Sequence, residues 1–231
     1  MTMASSRPPA DATCQVVILL YPEVEVLDFA GPYEVFTTAS RMALRAAPDA
    51  APPFAVHTVA AQAGAVRARA GLRTLADHGL ADAPAADWLI VPGGVVDQPL
   101  ADAATMAWLA RQGAAAQGVA SVCSGAFLLA AAGLLRPGSA VTTHWEDADD
   151  LQRAHPALRV LPQRRYIDLG HVVSSAGISA GIDMALHLVA RLHSPALAWR
   201  TARQMDVVWT VDAAHAQPAA DSSPAAPATA G

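Results

Sequence analysis

The stretch GVASVCSGAFLLAAAGLL (118–135) joins a buried-strand pattern to a helix pattern, and Cys123 stands at the junction. A residue at a sharp turn from strand to helix holds its side chain out at the edge of the sheet, which is the geometry of a nucleophile elbow. The residues that follow the cysteine are small, as a tight turn requires: Ser124, Gly125 and Ala126. The stretch therefore predicts an α/β fold with a cysteine at the rim of its sheet.

Strand and helix patterns alternate along the rest of the chain. Strand patterns occur in CQVVILL (14–20), FAVHTVA (54–60), DWLIVPGG (87–94), AVTTHW (140–145), LRVLPQRRYID (158–168) and HVVSSAGIS (171–179). Helix patterns occur in PYEVFTTASRMAL (32–44), TMAWLARQGAAA (105–116), ISAGIDMALHLVARLH (178–193) and PALAWRTARQMDVVW (195–209). This order predicts a mostly parallel sheet with helices on both faces, a flavodoxin-like sandwich, and Pro32 suits a first helical turn.

One domain is expected over residues 13–211. Residues 1–12 and the Ala/Pro-rich residues 212–231 lack periodic hydrophobics and are expected to be disordered. Apolar runs are too short for a membrane span, and a net charge of −5 does not favour nucleic acid or anionic lipid. We therefore expect a cytoplasmic protein with a small-molecule substrate.

The residue counts exclude several chemistries. The chain has no lysine, which excludes a Schiff-base lysine and a phosphate-loop lysine. Two cysteines do not make a disulfide framework or a thiolate metal site, and the eight histidines show no HxxxH or HExxH spacing. No metal or organic cofactor is expected.

Cys123 has two possible roles. At a helix N-terminus the unpaired amides and the helix dipole favour thiolate over thiol, which suits a nucleophile. The alternative is a small buried hydrophobe, which is the role we expect for Cys14 in its strand pattern. Gly93 and Gly94, also at a strand end, are candidate oxyanion donors or an ordinary turn.

Two further side chains are candidates for the same rim. Asp28 lies between Leu27 and Phe29, whose apolar character tends to raise the pKa of the acid and to fit it for proton transfer. Its alternative role is a helix N-cap ahead of Pro32. His144 follows the strand after the cysteine helix, a position from which it could approach the same edge of the sheet.

These segments together resemble the ThiJ/PfpI superfamily, whose fold is related to the class I glutamine amidotransferase domain. The similarity is strongest to the isonitrile hydratase branch and extends to the ligand domains of AraC-type regulators. The resemblance implies Cys123 as the nucleophile, Asp28 as the acid that contacts the sulfur, and Ser124 as the hydroxyl residue after the cysteine. It also implies that Gly93 and Gly94 form the glycine turn that faces the cysteine, that His144 is a histidine near the site, and that the protein is a homodimer.

The resemblance favours a hydratase that adds water to an isonitrile to give an N-substituted formamide. A second possibility is a small-molecule sensor related to AraC-type regulators, although no basic patch or helix-turn-helix pattern follows Trp209. A third is a thiol-based stress protein of the glyoxalase or deglycase type, since an exposed cysteine of low pKa is oxidisable.

Overall fold

The structure, a computed structural model, describes residues 12–211. Disorder was predicted for residues 1–12 and 212–231, and of these only residue 12 lies within the described range. Its strands are β1 (Cys14–Leu19), β2 (Phe54–Ala60), β3 (Gly64–Arg67), β4 (Arg73–Ala76), β5 (His78–Gly79), β6 (Trp88–Val91), β7 (Gly118–Val122), β8 (Ala140–Val141), β9 (Arg159–Val160), β10 (Tyr166–Asp168) and β11 (Val172–Ser175). Its helices are α1 (Val26–Ala46), α2 (Asp97–Ala101), α3 (Ala103–Ala115), α4 (Gly125–Ala131), α5 (Ala148–Ala154), α6 (Ala180–Leu192) and α7 (Pro195–Gln204).

A seven-stranded sheet forms the centre of the fold, in the order β10-β11-β7-β6-β1-β2-β5. Its strands are parallel except for β10, which pairs antiparallel with β11 at the edge. Every residue of β6 and β7 is buried, because central parallel strands are covered on both faces. The α/β architecture predicted from the alternating patterns is confirmed.

The helices pack in two groups against this sheet. Helices α1, α6 and α7 contact one another, while α2, α3 and α4 form a separate contacting group. The chain runs from β1 to β2 on one side and then returns to place β6 on the other side of β1. Ligands of open α/β sheets bind at such a reversal, beyond the carboxyl ends of the strands. The first turn of α1 and the loops after β6 and β7 all lie at that end.

Helix α1 begins earlier than the sequence indicated. It starts at Val26, whose N–H is capped by the Glu25 carboxylate, so Pro32 lies inside the helix and not in its first turn. Proline has no N–H, and the carbonyl four residues before it, that of Asp28, therefore has no helical donor at that point. Asp28 stands in the first helical turn instead of in a loop or at the N-cap.

Other differences concern short elements. The AVTTHW pattern yields only β8, which pairs with β9 outside the main sheet. Thr142 and Thr143 instead direct hydrogen bonds towards neighbouring segments. The antiparallel β3–β4 hairpin and β5 were not predicted, because these short segments lack a clear apolar alternation. Across residues 12–211, none of the helices has the length and apolar character needed to cross a bilayer.

Candidate active site

Cys123 occupies the turn between β7 and α4 in a strained backbone conformation. Its φ is 55°, in the left-handed region that non-glycine residues rarely adopt. Its N–H faces the carbonyls of Ser175 and Ala176 at 3.2 and 3.3 Å, and its carbonyl accepts the Thr143 hydroxyl at 2.8 Å. A side chain at Gly125 would collide with the backbone of β6, so the turn needs a glycine there. These contacts build the predicted nucleophile elbow.

Asp28 is completely buried beside the elbow. Its Oδ2 accepts the Gly93 N–H at 3.0 Å, whereas Oδ1 accepts no hydrogen bond from the N–H and O–H groups of the described residues. Burial raises the pKa of the Asp28 carboxyl to about 7, and the charge of Glu25 adds to this. Hydrogen bonds from Gly93 and from the Cys123 thiol lower the same pKa without reversing the shift. The shift has the direction expected from the apolar neighbours, and a pKa near neutrality suits proton transfer.

The loop after β6 joins the acid to the cysteine. Gly94 donates its N–H to Ser124 Oγ at 3.0 Å, and the same hydroxyl lies 3.0 Å from the Gly94 carbonyl oxygen. A Cβ at Gly93 would lie 2.6 Å from the Ser124 nitrogen and 2.9 Å from Asp28 Oδ2. Both glycine amides are therefore engaged by side chains of the site. Their role as oxyanion donors stays a prediction, because each N–H would have to leave its present acceptor, Asp28 or Ser124, to bind the substrate.

The thiol of Cys123 is not the thiolate that the helix N-terminus led us to expect. Burial raises its pKa to about 12, and the negative charges of Asp28 and Asp147 act in the same direction. The N–H groups of Ser124 and Ile178 lower this pKa but do not offset the burial. The resting sulfur is therefore protonated and needs a base at the moment of attack.

Ile178 was not predicted to belong to the site. It follows β11 and has a φ of 40°, and its backbone N–H lowers the pKa of the Cys123 thiol. Tyr21, at the end of β1, was also missed: it donates its hydroxyl hydrogen to the Pro92 carbonyl at 2.8 Å. Burial raises the pKa of Tyr21 well above its ordinary value, and the charges of Asp28 and Cys123 add to the shift. The Tyr-Pro pair indicated only a turn, and an isoleucine gives no signal for such a backbone.

His144 lies at the same rim but is engaged with its own loop. Its ring occupies the space beside Gly177 where a side chain would stand, and its Nδ1 accepts the Glu146 N–H at 3.3 Å. The same nitrogen is 3.9 Å from Glu146 Oε2 and 4.0 Å from Asp147 Oδ2. The ring therefore packs against the segment that carries Ile178.

Cys14 is buried in β1, as predicted for a core residue. Burial raises the pKa of its thiol to about 12, which makes it a poor nucleophile. No group of three or more histidine, cysteine, aspartate or glutamate side chains within residues 12–211 is arranged to hold a metal ion. The reactive groups at the elbow are the Cys123 thiol and the neighbouring Asp28 carboxyl group.

Known proteins are similar to this chain in sequence. Isonitrile hydratase of Pseudomonas putida is 37% identical over 180 residues, which are 77% of this chain and 72% of that protein. The HTH-type transcriptional regulator CdhR of Pseudomonas aeruginosa is 31% identical over 186 residues, or 80% of this chain. The matched region is only 53% of the regulator, so the chain spans about half of its length.

Solved structures agree with these matches. A ThiJ/PfpI family protein from Pseudomonas syringae superposes with a TM-score of 0.73 at 28% identity, covering 95% of this chain and 85% of that one. An AraC family transcriptional regulator from Pseudomonas putida has a TM-score of 0.67 at 21% identity and shares the fold, covering 83% of this chain and 99% of that one. The profile of the DJ-1/PfpI family matches residues 14–191, which include the elbow and its acid. The chain belongs to the DJ-1/PfpI family.

Proposed function

We propose that this protein is a cysteine-dependent hydratase that converts an isonitrile into an N-substituted formamide. The observation that carries the proposal is the burial of the Asp28 carboxyl group against the Cys123 thiol at the elbow. The identity of 37% to isonitrile hydratase supports the choice of substrate class. A thiol beside a general base is a recurrent arrangement for forming a covalent intermediate.

The first step joins the sulfur to the substrate. The Asp28 carboxylate takes the proton of the Cys123 thiol while the sulfur attacks the terminal carbon of the isonitrile. Asp28 then returns that proton to the same carbon, and the product is an enzyme-bound thioimidate with an N=CH–S linkage. Because the proton only passes through Asp28, the carboxylate is regenerated for the second step.

The second step adds water and frees the sulfur. Asp28 takes one proton from water as the oxygen bonds to the thioimidate carbon, and the other proton of that water moves from the oxygen to the substrate nitrogen, which becomes N–H. The tetrahedral adduct collapses when the C–S bond breaks, and the proton held by Asp28 goes to the leaving sulfur. The formamide departs and the thiol is restored, so the sum is one isonitrile and one water.

The backbone around the sulfur supports this charge movement. The N–H groups of Ser124 and Ile178 lower the pKa of Cys123, so they stabilise negative charge on sulfur during attack and departure. The Ser124 hydroxyl ties the Gly94 turn to the elbow and thereby fixes the position of Gly93, which holds Asp28. A misplacement of about 1 Å at such a centre costs roughly a factor of 100 in rate.

The direct test is incubation with cyclohexyl isocyanide and detection of its formamide by mass spectrometry. Wild-type protein and Cys14→Ala should produce formamide, because Cys14 lies in the core away from the elbow. Cys123→Ala should produce none above the uncatalysed background. Turnover by Cys123→Ala at the wild-type rate would contradict the proposed mechanism.

A second candidate, a small-molecule sensor, is favoured by the similarity to CdhR. It predicts binding of a ligand at this rim without chemical change, so the ligand would be recovered intact after incubation. A stress role through rapid oxidation is less consistent with the site, because a thiol with a pKa of about 12 contains little reactive thiolate.

A further inference from the structure

The segment 176–179 holds Ile178 in a conformation that isoleucine rarely adopts. Its φ of 40° is left-handed, where a β-branched side chain is strained. Its side chain is 38% exposed, so burial of that side chain does little to hold the conformation. A strained backbone persists only where its surroundings impose it. The contacts on either side of Ile178 therefore decide where its N–H lies relative to the Cys123 sulfur.

One residue, Arg165, contacts the segment on both sides of Ile178. Its carbonyl accepts the Ala176 N–H at 2.9 Å, two residues before the strained position. Its guanidinium Nη2 lies 3.5 Å from Ser179 Oγ, one residue after it. Arg165 thus brackets the turn with its backbone on one side and its side chain on the other.

Asp183 fixes the orientation of that side chain. Its carboxylate is almost fully buried and pairs with Arg165 Nε. The other oxygen accepts the Thr210 N–H at 2.8 Å, and the Asp183 carbonyl accepts the Trp209 indole N–H at 3.2 Å. A carboxylate held from two directions leaves the guanidinium little freedom to turn.

The opposite side of the segment is equally constrained. The His144 ring packs against Gly177, and the Ala176 carbonyl faces the Cys123 N–H. The geometry points to Arg165 as a positioning residue for the nucleophile: anchored by Asp183, it holds segment 176–179 so that the Ile178 N–H stabilises negative charge on Cys123. This inference rests on Cys123 as the proposed nucleophile and not on the identity of the substrate.

The test measures the ionisation of Cys123 without any isonitrile. In an Asp28→Asn background, which removes one of the charges that add to the effect of burial on the thiol pKa, the rate of Cys123 alkylation by iodoacetamide is followed by peptide mass spectrometry from pH 6 to pH 12. Arg165→Lys keeps a positive charge but lacks the planar fork that reaches Asp183 and Ser179 together. We expect it to move the midpoint of the profile up by about 0.5–1 pH unit, or about three- to tenfold less thiolate at a given pH.

Two further variants make the result decisive. Arg153→Lys changes an exposed arginine that pairs with Asp150, and it should leave the midpoint in place. Ser179→Ala removes only one contact of the bracket at an exposed position, and we expect a shift of the same sign and about half the size. Easier access of the reagent would raise the rate at every pH without moving the midpoint. An unchanged midpoint in Arg165→Lys overturns the inference, and if that variant does not fold, an unchanged midpoint in Ser179→Ala does so.

Discussion

Asp28 and Cys123 shift each other's ionisation in opposite directions. Hydrogen bonding from the thiol lowers the pKa of the acid, while the charge of the carboxylate raises the pKa of the thiol. Burial raises both values, to about 7 for Asp28 and about 12 for Cys123. Near neutral pH the pair therefore holds its proton on sulfur and offers a carboxylate to receive it. The acid both suppresses the free thiolate and supplies the base that activates the thiol.

Replacing Asp28 by asparagine should change turnover and alkylation in opposite directions. The amide keeps an acceptor for the Gly93 N–H but carries no charge and takes no proton. Without the negative charge the pKa of Cys123 falls, so alkylation by iodoacetamide at pH 8 should become faster. Isonitrile turnover should fall by roughly 100- to 10,000-fold, the usual contribution of a general base.

A matched control for Asp28→Asn lies on the same helix. Glu34 is on the exposed side of α1, where it accepts hydrogen bonds from Thr38 and Arg41. Glu34→Gln also exchanges an acid for its amide and should leave both rates close to wild type. If alkylation and turnover rise together in Asp28→Asn, the acid has no role in proton transfer.

The rate of turnover should depend on pH through Asp28. The pKa of this acid is raised to about 7, so below that pH the carboxyl group is protonated and cannot accept the thiol proton. We expect kcat/KM to rise between pH 6 and 8 with a midpoint of about 7. The pKa of Cys123, about 12, places any second transition beyond the measured range. A flat profile over pH 5–9 would exclude this acid as the base.

The same pKa predicts a pH-dependent cost to stability. The Asp28 pKa is about 7 in the folded state against 3.8 as the ordinary value, so between these limits the folded protein holds a proton that the unfolded chain releases. The cost is absent below about pH 4, where both states hold the proton, and it grows as the pH rises until it is complete above about pH 7. The unfolding free energy of Asp28→Asn minus that of wild type should therefore increase from pH 5 to pH 8, by up to ~3 kcal/mol. Urea denaturation at the two pH values measures the difference, which would be absent if Asp28 ionised normally.

The central strands and the elbow could be predicted from sequence because their signals are local. FAVHTVA is an apolar run bounded by turn residues, and β2 matches it residue for residue. Small residues after Cys123 indicate a tight turn, and β7 and α4 meet there. The start of α1 was misplaced because Pro32 is favoured at a first turn, whereas the Glu25 cap lets the helix begin earlier.

The electrostatics of the elbow could not be predicted in the same way. A helix N-terminus favours thiolate, but the depth of Cys123 and its distance from Asp28 depend on how distant segments pack. The segment that carries Ile178 is contacted by Arg165 and by the His144 ring, which lie far from Cys123 in the sequence. The residues of GIS (177–179) give no sequence signal for a left-handed backbone at Ile178, so the position of its N–H could be found only from the structure.

Gly93→Ala should disable the site while the fold survives. The new Cβ would lie 2.6 Å from the Ser124 nitrogen and 2.7 Å from its hydroxyl oxygen, which pushes the Asp28-binding loop away from the elbow. We expect a loss of ~1–3 kcal/mol in unfolding free energy and at least a roughly 100-fold loss of turnover. Gly138→Ala is the control, since it has a φ of 80° with open space around it and should cost stability alone. Wild-type turnover in Gly93→Ala would show that the loop position does not matter.

His144→Asn separates a packing role of the histidine from a catalytic one. The ring packs against Gly177, and its Nδ1 caps the Glu146 N–H, a role that an asparagine oxygen also fills. We therefore expect kcat/KM for an isonitrile to stay within about threefold of wild type, with a small fall in the thermal midpoint from lost packing. A general acid or base at this position would instead contribute roughly 100-fold or more. A loss of that size, with the Cys123 alkylation profile unchanged, would mean that the ring turns to the substrate and takes part in proton transfer.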